Sequence, residues 1–142
     1  MAKRMTDAEI ETFLQQPLHA ILATHASNGP PHLSPVWFLF EDGRLSTSIL
    51  SGSAKHKNLK RRPDVSLCID GGRGDVRTVM LYGTAELRPG DDKASEATRR
   101  RIIRHYHQRE EDAKSYYENV RGVPHVLLVL EPDRVVSQDF ND

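Results

Sequence analysis

The segment from Ser51 to Leu59 brings together residue types that bind anions. It reads Ser51-Gly52-Ser53-Ala54-Lys55-His56-Lys57-Asn58-Leu59, so a loop of small residues precedes the start of a basic helix. Free backbone N–H groups and the helix dipole at such a start favour an anion, and a capping serine such as Ser53 can also bond a phosphate oxygen. Lys55 lies in the first turn as a point charge, and Asn58 lies three residues further, roughly on the same face. The alternative interpretation is a solvated basic helix with an ordinary serine cap.

A proline inside a predicted strand marks a second segment of interest. The segment reads Leu33-Ser34-Pro35-Val36-Trp37-Phe38. Because Pro35 has no N–H, it belongs at a sheet edge, a bulge or a place where a ligand approaches. Trp37 alternates with Val36 and Phe38, so one face of the strand packs on the core and the other faces elsewhere. A flat aromatic ligand stacked here could accept hydrogen bonds from backbone N–H groups, whereas the alternative is that Trp37 is a core or dimer-interface residue.

Turn and periodicity signals around these segments predict short antiparallel strands with helices set to one side. The first helix starts at a capping box, Thr6-Asp7-Ala8-Glu9, and ends at Pro17. A second helix covers residues 54–61, and the polar stretch 91–121 predicts two more helices with a break near residues 108–112. Predicted strands cover residues 19–24, 32–40, 44–49, 65–70, 76–87 and 125–130, with residues 134–137 as a candidate for one more. The pattern predicts a mainly β, α+β fold, an antiparallel barrel of six to seven strands with a few peripheral helices.

Length and composition limit the function classes open to the chain. Its 142 residues fit one domain, residues 1–142, with a core that needs no metal or disulfide to support it. The chain has 20 basic and 20 acidic residues and therefore no formal net charge, which argues against a nucleic-acid partner. The single cysteine, Cys68, excludes a disulfide framework within the chain and suits a reducing cytoplasm. No apolar run approaches the roughly 20 residues that a membrane-spanning helix needs, so no membrane partner is expected.

Several short motifs follow one another in a specific order along residues 10–90. An apolar strand is followed by Asn28-Gly29, Pro35-Val36-Trp37-Phe38, Asp42-Gly43, Ser46-Thr47-Ser48, Ser53-x-Lys55-x-x-Asn58-Leu59, Arg62-Pro63-Asp64-Val65-Ser66-Leu67 and Gly83-Thr84-Ala85-Glu86-Leu87. In this order the motifs resemble the pyridoxamine 5′-phosphate oxidase-like, FMN-binding split-barrel superfamily. More narrowly, they resemble its F420-dependent branch, the flavin/deazaflavin oxidoreductases of class B.

The resemblance implies an antiparallel split β-barrel and a homodimer in which the second subunit completes each cofactor pocket. The residues implied to hold the cofactor phosphate are Ser53, Lys55, Lys57 and Asn58. The residues implied to lie along the ring system are Ser34, Pro35, Val36, Trp37, Thr47 and Ser48. The chain departs from many family members, which carry a Thr-Gly-Arg-Gly-like loop. It has Ile49-Leu50-Ser51-Gly52 there and lacks that arginine.

The activity that the resemblance implies is hydride transfer from reduced coenzyme F420 to a small electrophilic substrate. A cofactor of this kind supplies the chemistry and the protein supplies binding and orientation, so no catalytic side chain is expected. Two alternatives stay open: an FMN-dependent oxidoreductase, and a non-catalytic protein that binds a flavin, a deazaflavin or haem. The seven histidines are scattered and form no metal-ligand motif, so no metal site is expected.

Overall fold

Residues 2–141, which the computed structural model describes, form two antiparallel sheets and four helices. The helices are α1 Asp7–Phe13, α2 Ala54–Arg61, α3 Lys93–His105 and α4 Glu110–Val120. The strands are β1 Ala20–Thr24, β2 His32–Val36, β3 Leu39–Glu41, β4 Arg44–Leu50, β5 Asp64–Asp70, β6 Arg77–Thr84, β7 Glu86–Pro89, β8 His125–Leu130 and β9 Arg134–Asp139. One sheet has the strand order β2-β1-β5-β6-β9 and the other the order β3-β4-β8-β7.

The main core lies between the two sheets because apolar residues alternate along their strands. In β5, Val65, Leu67 and Ile69 are buried while their neighbours face outward. Side chains from both sheets and from α1 and α2 meet in this core. A smaller cluster, formed by Ile102 of α3 with Leu127 and Val129 of β8, fixes α3 against the outer face of the second sheet. The predicted fold class, an α+β split barrel, is confirmed.

Two of the predicted strands each divide between the sheets, and the candidate strand at residues 134–137 forms as β9, so the described chain has nine strands instead of the predicted six to seven. The predicted strand 32–40 becomes β2 and β3, and the predicted strand 76–87 becomes β6 and β7. At the first corner the N–H of Phe38 donates to the Tyr106 hydroxyl at 3.0 Å, and the carbonyl of Trp37 accepts from Thr47 Oγ1 at 2.6 Å. Side-chain hydroxyl groups therefore form the hydrogen bonds that these backbone groups would form with a neighbouring strand if the strand continued straight.

The predicted helices are confirmed, and their caps explain where they begin. Thr6 and Glu9 form the predicted capping box at the start of α1. Ser53 caps α2, and its side chain accepts a hydrogen bond from His56 N–H. The polar stretch 91–121 holds α3 and α4 with a break at residues 106–109. Among residues 2–141, no helix is both long and apolar enough to cross a membrane.

Candidate functional site

A cleft of about 300 Å³ opens between the edge strand β2, the end of β4 and the α3–α4 pair. Its size lies at the lower limit of the range for small-molecule sites. The residues that line it are Pro35, Val36, Trp37, Ser48, Ile49, Leu50, Lys55, Arg99, Ile102, Ile103, Tyr116, Val120, Val123, Pro124 and His125. The cleft therefore contains five of the ten predicted site residues, namely Pro35, Val36, Trp37, Ser48 and Lys55.

Lys55 brings a half-buried positive charge to the cleft. Its Nζ donates a hydrogen bond to Ser34 Oγ at 2.9 Å, so the two predicted site residues meet although they are 21 positions apart. Burial lowers the pKa of the Lys55 ammonium from its usual value. Within the described part of the chain, no carboxylate lies within ion-pair distance of Lys55. The attraction of an anion in the cleft would offset this free-energy cost of burial and stabilise the charged form.

The loop before α2 leaves only some of its backbone N–H groups for a ligand. Gly52 N–H donates to His56 Nδ1 at 2.9 Å, and Ser51 N–H donates to the carbonyl of Pro124 at 3.1 Å. Burial lowers the pKa of His56, which keeps its ring neutral and able to accept this bond. The N–H groups of Ala54 and Lys55 lie in the first turn, where no helical carbonyl can reach them. Those two groups are the ones that can converge with the Lys55 side chain on an anion.

The edge position of β2 agrees with the prediction for Pro35, which pairs with Ile21 of β1 on one side only. Trp37 follows the end of this strand and is half-buried rather than part of the deep core. Its ring stacks on Tyr106 with 4.9 Å between centroids and an angle of 8° between planes, and its Nε1 lies 3.3 Å from His19 Nε2. These contacts hold the indole as one rigid wall of the cleft.

Tyr106, the residue directly after α3, supports this wall. Burial raises the pKa of Tyr106 to about 12, so the hydroxyl stays protonated at neutral pH. It donates to the carbonyl of Leu18 and accepts from Phe38 N–H. The helical spacing of Ile102, Ile103 and Tyr106 in the sequence indicates an apolar helix face, but it does not connect that face to Trp37.

The predicted pair Thr47 and Ser48 does not reach the cleft together. Successive residues of a strand point to opposite faces, and β4 places Ser48 in the cleft and Thr47 in the core with no exposed surface. Thr47 instead binds the Trp37 carbonyl through its hydroxyl. Its role is to fix the corner that carries Trp37.

Two predicted phosphate contacts on α2 also lie away from the cleft lining. Asn58 is buried, and its Nδ2 donates to Thr24 Oγ1 at 3.1 Å while its Oδ1 accepts from Arg61 at 3.2 Å. Lys57 is exposed and is not among the lining residues. Ser53 caps α2, as predicted, and is not among the lining residues either.

The helical wall of the cleft was not part of the predicted site. It contributes Arg99, Ile102 and Ile103 from α3 and Tyr116 and Val120 from α4. A signal was present in the sequence, because positions 99, 102, 103 and 106 follow the spacing of one helix face. An arginine on an otherwise apolar face marks a buried, partnered charge. Arg99 is indeed only 6% exposed and lies 3.1 Å from His125 Nδ1.

Comparison with known proteins places this geometry in a family. The family model described as pyridoxamine 5′-phosphate oxidase matches residues 6–139. A conserved hypothetical protein from Mycobacterium tuberculosis is similar with a TM-score of 0.79 and 25% identity over 95% of this chain and 85% of that one. An F420 reductase is similar with a TM-score of 0.67 and 20% identity over 88% and 94%. A FAD-binding protein from Mesorhizobium loti is similar with a TM-score of 0.71 and 20% identity over 100% and 98%.

Proposed function

The chain belongs to the pyridoxamine 5′-phosphate oxidase family, and from that premise we propose that its cleft binds a flavin-type cofactor for an oxidoreductase reaction. The observation that carries the proposal is Lys55, a half-buried cation beside Ser34 with no carboxylate partner in the described chain. The donor set fits a phosphate, because an ammonium group and a serine hydroxyl lie together there, and the first turn of the same helix has backbone N–H groups that no helical carbonyl reaches.

The strand side of the cleft fits the ring of such a cofactor. Pro35 and Val36 belong to an edge strand, whose outer backbone groups have no strand partner. Trp37 closes this side with a rigid aromatic surface. When bound, a reduced flavin or deazaflavin supplies the hydride, and the protein supplies position and shelter from water. The roles proposed for the chain are thus phosphate binding at Lys55 and Ser53 and ring orientation by residues 34–37 and Ser48.

We propose coenzyme F420 as the preferred cofactor, with FMN as the alternative. The support is the resemblance of Pro35-Val36-Trp37-Phe38 and Ser53-x-Lys55-x-x-Asn58-Leu59 to the F420-dependent branch, together with the fold shared with an F420 reductase. The fold shared with a FAD-binding protein supports a flavin in general. The alternative function is a non-catalytic protein that binds a flavin, a deazaflavin or haem. A substrate-reduction assay distinguishes it from an oxidoreductase.

We also propose that a second copy of the chain completes the cleft. An apolar row crosses the outer face of the five-stranded sheet, with one residue from each strand in register: Pro35, Ile21, Cys68, Met80 and Val136. Pro35 belongs to this row and also lines the cleft. An apolar face of this kind favours association, and a partner packed on it would extend the small cleft of one chain.

Titration of the purified protein with F420 and with FMN, monitored by Trp37 emission, tests the cofactor proposal. Trp37 is the sole tryptophan of the chain and lines the cleft, so its emission reports binding there directly. The expected result is a change in emission with both cofactors and a lower Kd for F420. Tighter binding of FMN would reverse the preference, and no change with either cofactor would contradict flavin binding in this cleft.

A further inference from the structure

The helical wall of the cleft contains a buried arginine whose hydrogen-bond partners carry no charge. Arg99 is 6% exposed and lines the cleft. Its Nη2 donates to the carbonyl of Val120 at 2.7 Å, and its Nη1 lies 3.1 Å from His125 Nδ1. Burying a guanidinium is costly unless its donors and its charge are satisfied. Whether Arg99 can bind a ligand therefore depends on how its charge is compensated and on which of its N–H donors are unpaired.

One carboxylate near Arg99 compensates its charge without bonding to it. Glu96 Oε2 lies 3.8 Å from Arg99 Nη1, which is beyond hydrogen-bond distance. The other carboxylate oxygen of Glu96 accepts a hydrogen bond from Tyr117 at 2.6 Å. A guanidinium has five N–H donors, and the described residues accept two of them. Arg99 thus has N–H donors left for a further acceptor in the cleft.

His125 adds a second unused donor next to Arg99. Burial, and then the charge of Arg99, lower the pKa of His125, so its ring is neutral at neutral pH. Because Nδ1 accepts from Arg99, the ring proton is assigned to Nε2. Nε2 is buried, lies 3.8 Å from Glu96 Oε2, and has no partner within hydrogen-bond distance among residues 2–141. Two adjacent side chains of the cleft, each more than nine-tenths buried, therefore have unsatisfied donors.

The surroundings of this pair determine what kind of ligand fits. The wall beside it is apolar and aromatic, with Ile102, Ile103, Tyr116 and Val120. We propose that Arg99 and His125 bind the carboxylate of a substrate whose remaining body is apolar. A planar carboxylate matches the guanidinium fork better than a point charge does. This inference rests on the proposed function, in which Lys55 and β2 hold the cofactor and leave the helical wall to the substrate.

Benzoate and benzyl alcohol are matched probes for this site because they share a ring and differ in charge. Trp37 emission of the cofactor-free protein at neutral pH measures the binding of each. We expect benzoate to bind at least about tenfold more tightly, since the carboxylate gains charge-assisted hydrogen bonds. Equal affinities would overturn the proposal, and this comparison on the unmodified protein needs no variant to fold.

Substitution of Arg99 then assigns the selectivity to a residue. Arg99→Gln is expected to weaken benzoate binding by about 10- to 100-fold and to leave benzyl alcohol unchanged. Lys114→Gln removes the same charge from an exposed position of α4 and is expected to change neither affinity. An equal loss of benzoate affinity in both variants would show that benzoate responds only to the overall charge of the protein, which would overturn the proposal. Circular dichroism establishes that each variant is folded.

Competition separates a substrate site from a site for part of the cofactor. The benzoate titration is repeated with the protein saturated with whichever of F420 or FMN binds. The expected result is that benzoate retains its affinity, because the cofactor occupies the strand side. Competitive displacement would assign the anion site to the cofactor and overturn the substrate assignment. Failure of the proposed function has a different signature, since no flavin would then bind while the benzoate titration still reports on Arg99.

Discussion

At the scale of single residues, Lys55 and Asn58 show why neighbours on one helix take different roles. The family resemblance implied a phosphate contact for each of them, and their spacing of three positions places them roughly on one helix face. Lys55 is long enough to extend from α2 to Ser34 at the cleft. Asn58 is short, and its amide is used up by Thr24 and Arg61 beneath the helix. Helical spacing alone does not separate these outcomes, because side-chain length and the neighbouring strand decide them.

Lys55→Ala is expected to weaken cofactor binding by about 10- to 100-fold, because a charge-assisted phosphate contact contributes about 1.5–3 kcal/mol. Folding stability is expected to change little, since the lysine loses one hydrogen bond to Ser34 and little packing. Lys60→Ala is the control, because Lys60 is exposed on another face of α2. Fluorescence titration and urea unfolding of both variants make the comparison. Equal, small effects on affinity would show that the helix acts only through its overall charge.

Asn58→Ala is expected to lower folding stability and to leave cofactor affinity nearly unchanged. The substitution leaves the buried Thr24 hydroxyl without its donor, which costs about 1–3 kcal/mol of folding free energy. Cofactor affinity in the folded variant is expected to stay close to that of the unmodified protein. Urea unfolding and cofactor titration measure the two quantities separately. A large loss of affinity at unchanged stability would restore Asn58 to the binding site.

At the scale of elements, the sequence did not predict the corners at which residues 32–40 and 76–87 pass from one sheet to the other. Strand periodicity runs through residues 32–40 without a break, so it predicts one strand. The division at Trp37 depends on Thr47 of β4 and on Tyr106, the residue directly after α3. Local signals did predict the helices and most strand positions, because caps, turns and alternation are encoded by neighbours. Contacts between distant segments, including the whole helical wall with Arg99, are not encoded in that way.

Gly90 makes one such distant contact at the turn after β7. A Cβ at this position would lie 1.9 Å from the carbonyl oxygen of His125, so the backbone would have to move. Gly90→Ala is therefore expected to destabilise the fold by about 3 kcal/mol or more, at or above the upper end of the usual range for overpacking. Thermal unfolding measures the loss. Gly72→Ala is the control, because a Cβ there has no atom within 4 Å, and an equal loss in both variants would contradict the close approach.

At the scale of the whole molecule, the outer face of the five-stranded sheet carries the proposal of a dimer. Ile21, the second residue of the apolar row, is 39% exposed, and Leu33 on the adjacent edge strand is 64% exposed. A standard interface buries roughly 800 Å² on each partner, and a five-stranded face offers a continuous flat surface for it. Since Pro35 lines the cleft and ends the row, dimerisation and cofactor binding are expected to depend on each other.

Ile21→Arg tests that dependence. Residue 21 points away from the core, so a lone chain tolerates the arginine, whereas an interface would have to desolvate an unpaired charge. The expected results are a monomer in light scattering and a cofactor affinity reduced at least about tenfold, equivalent to roughly 1.4 kcal/mol of lost partner contacts. Val76→Arg is the control, because Val76 is 45% exposed but lies outside the row, and it is expected to leave both properties unchanged. A persistent dimer in Ile21→Arg would show that the row is not the interface, and a monomer with full affinity would show that one chain forms the complete cofactor site.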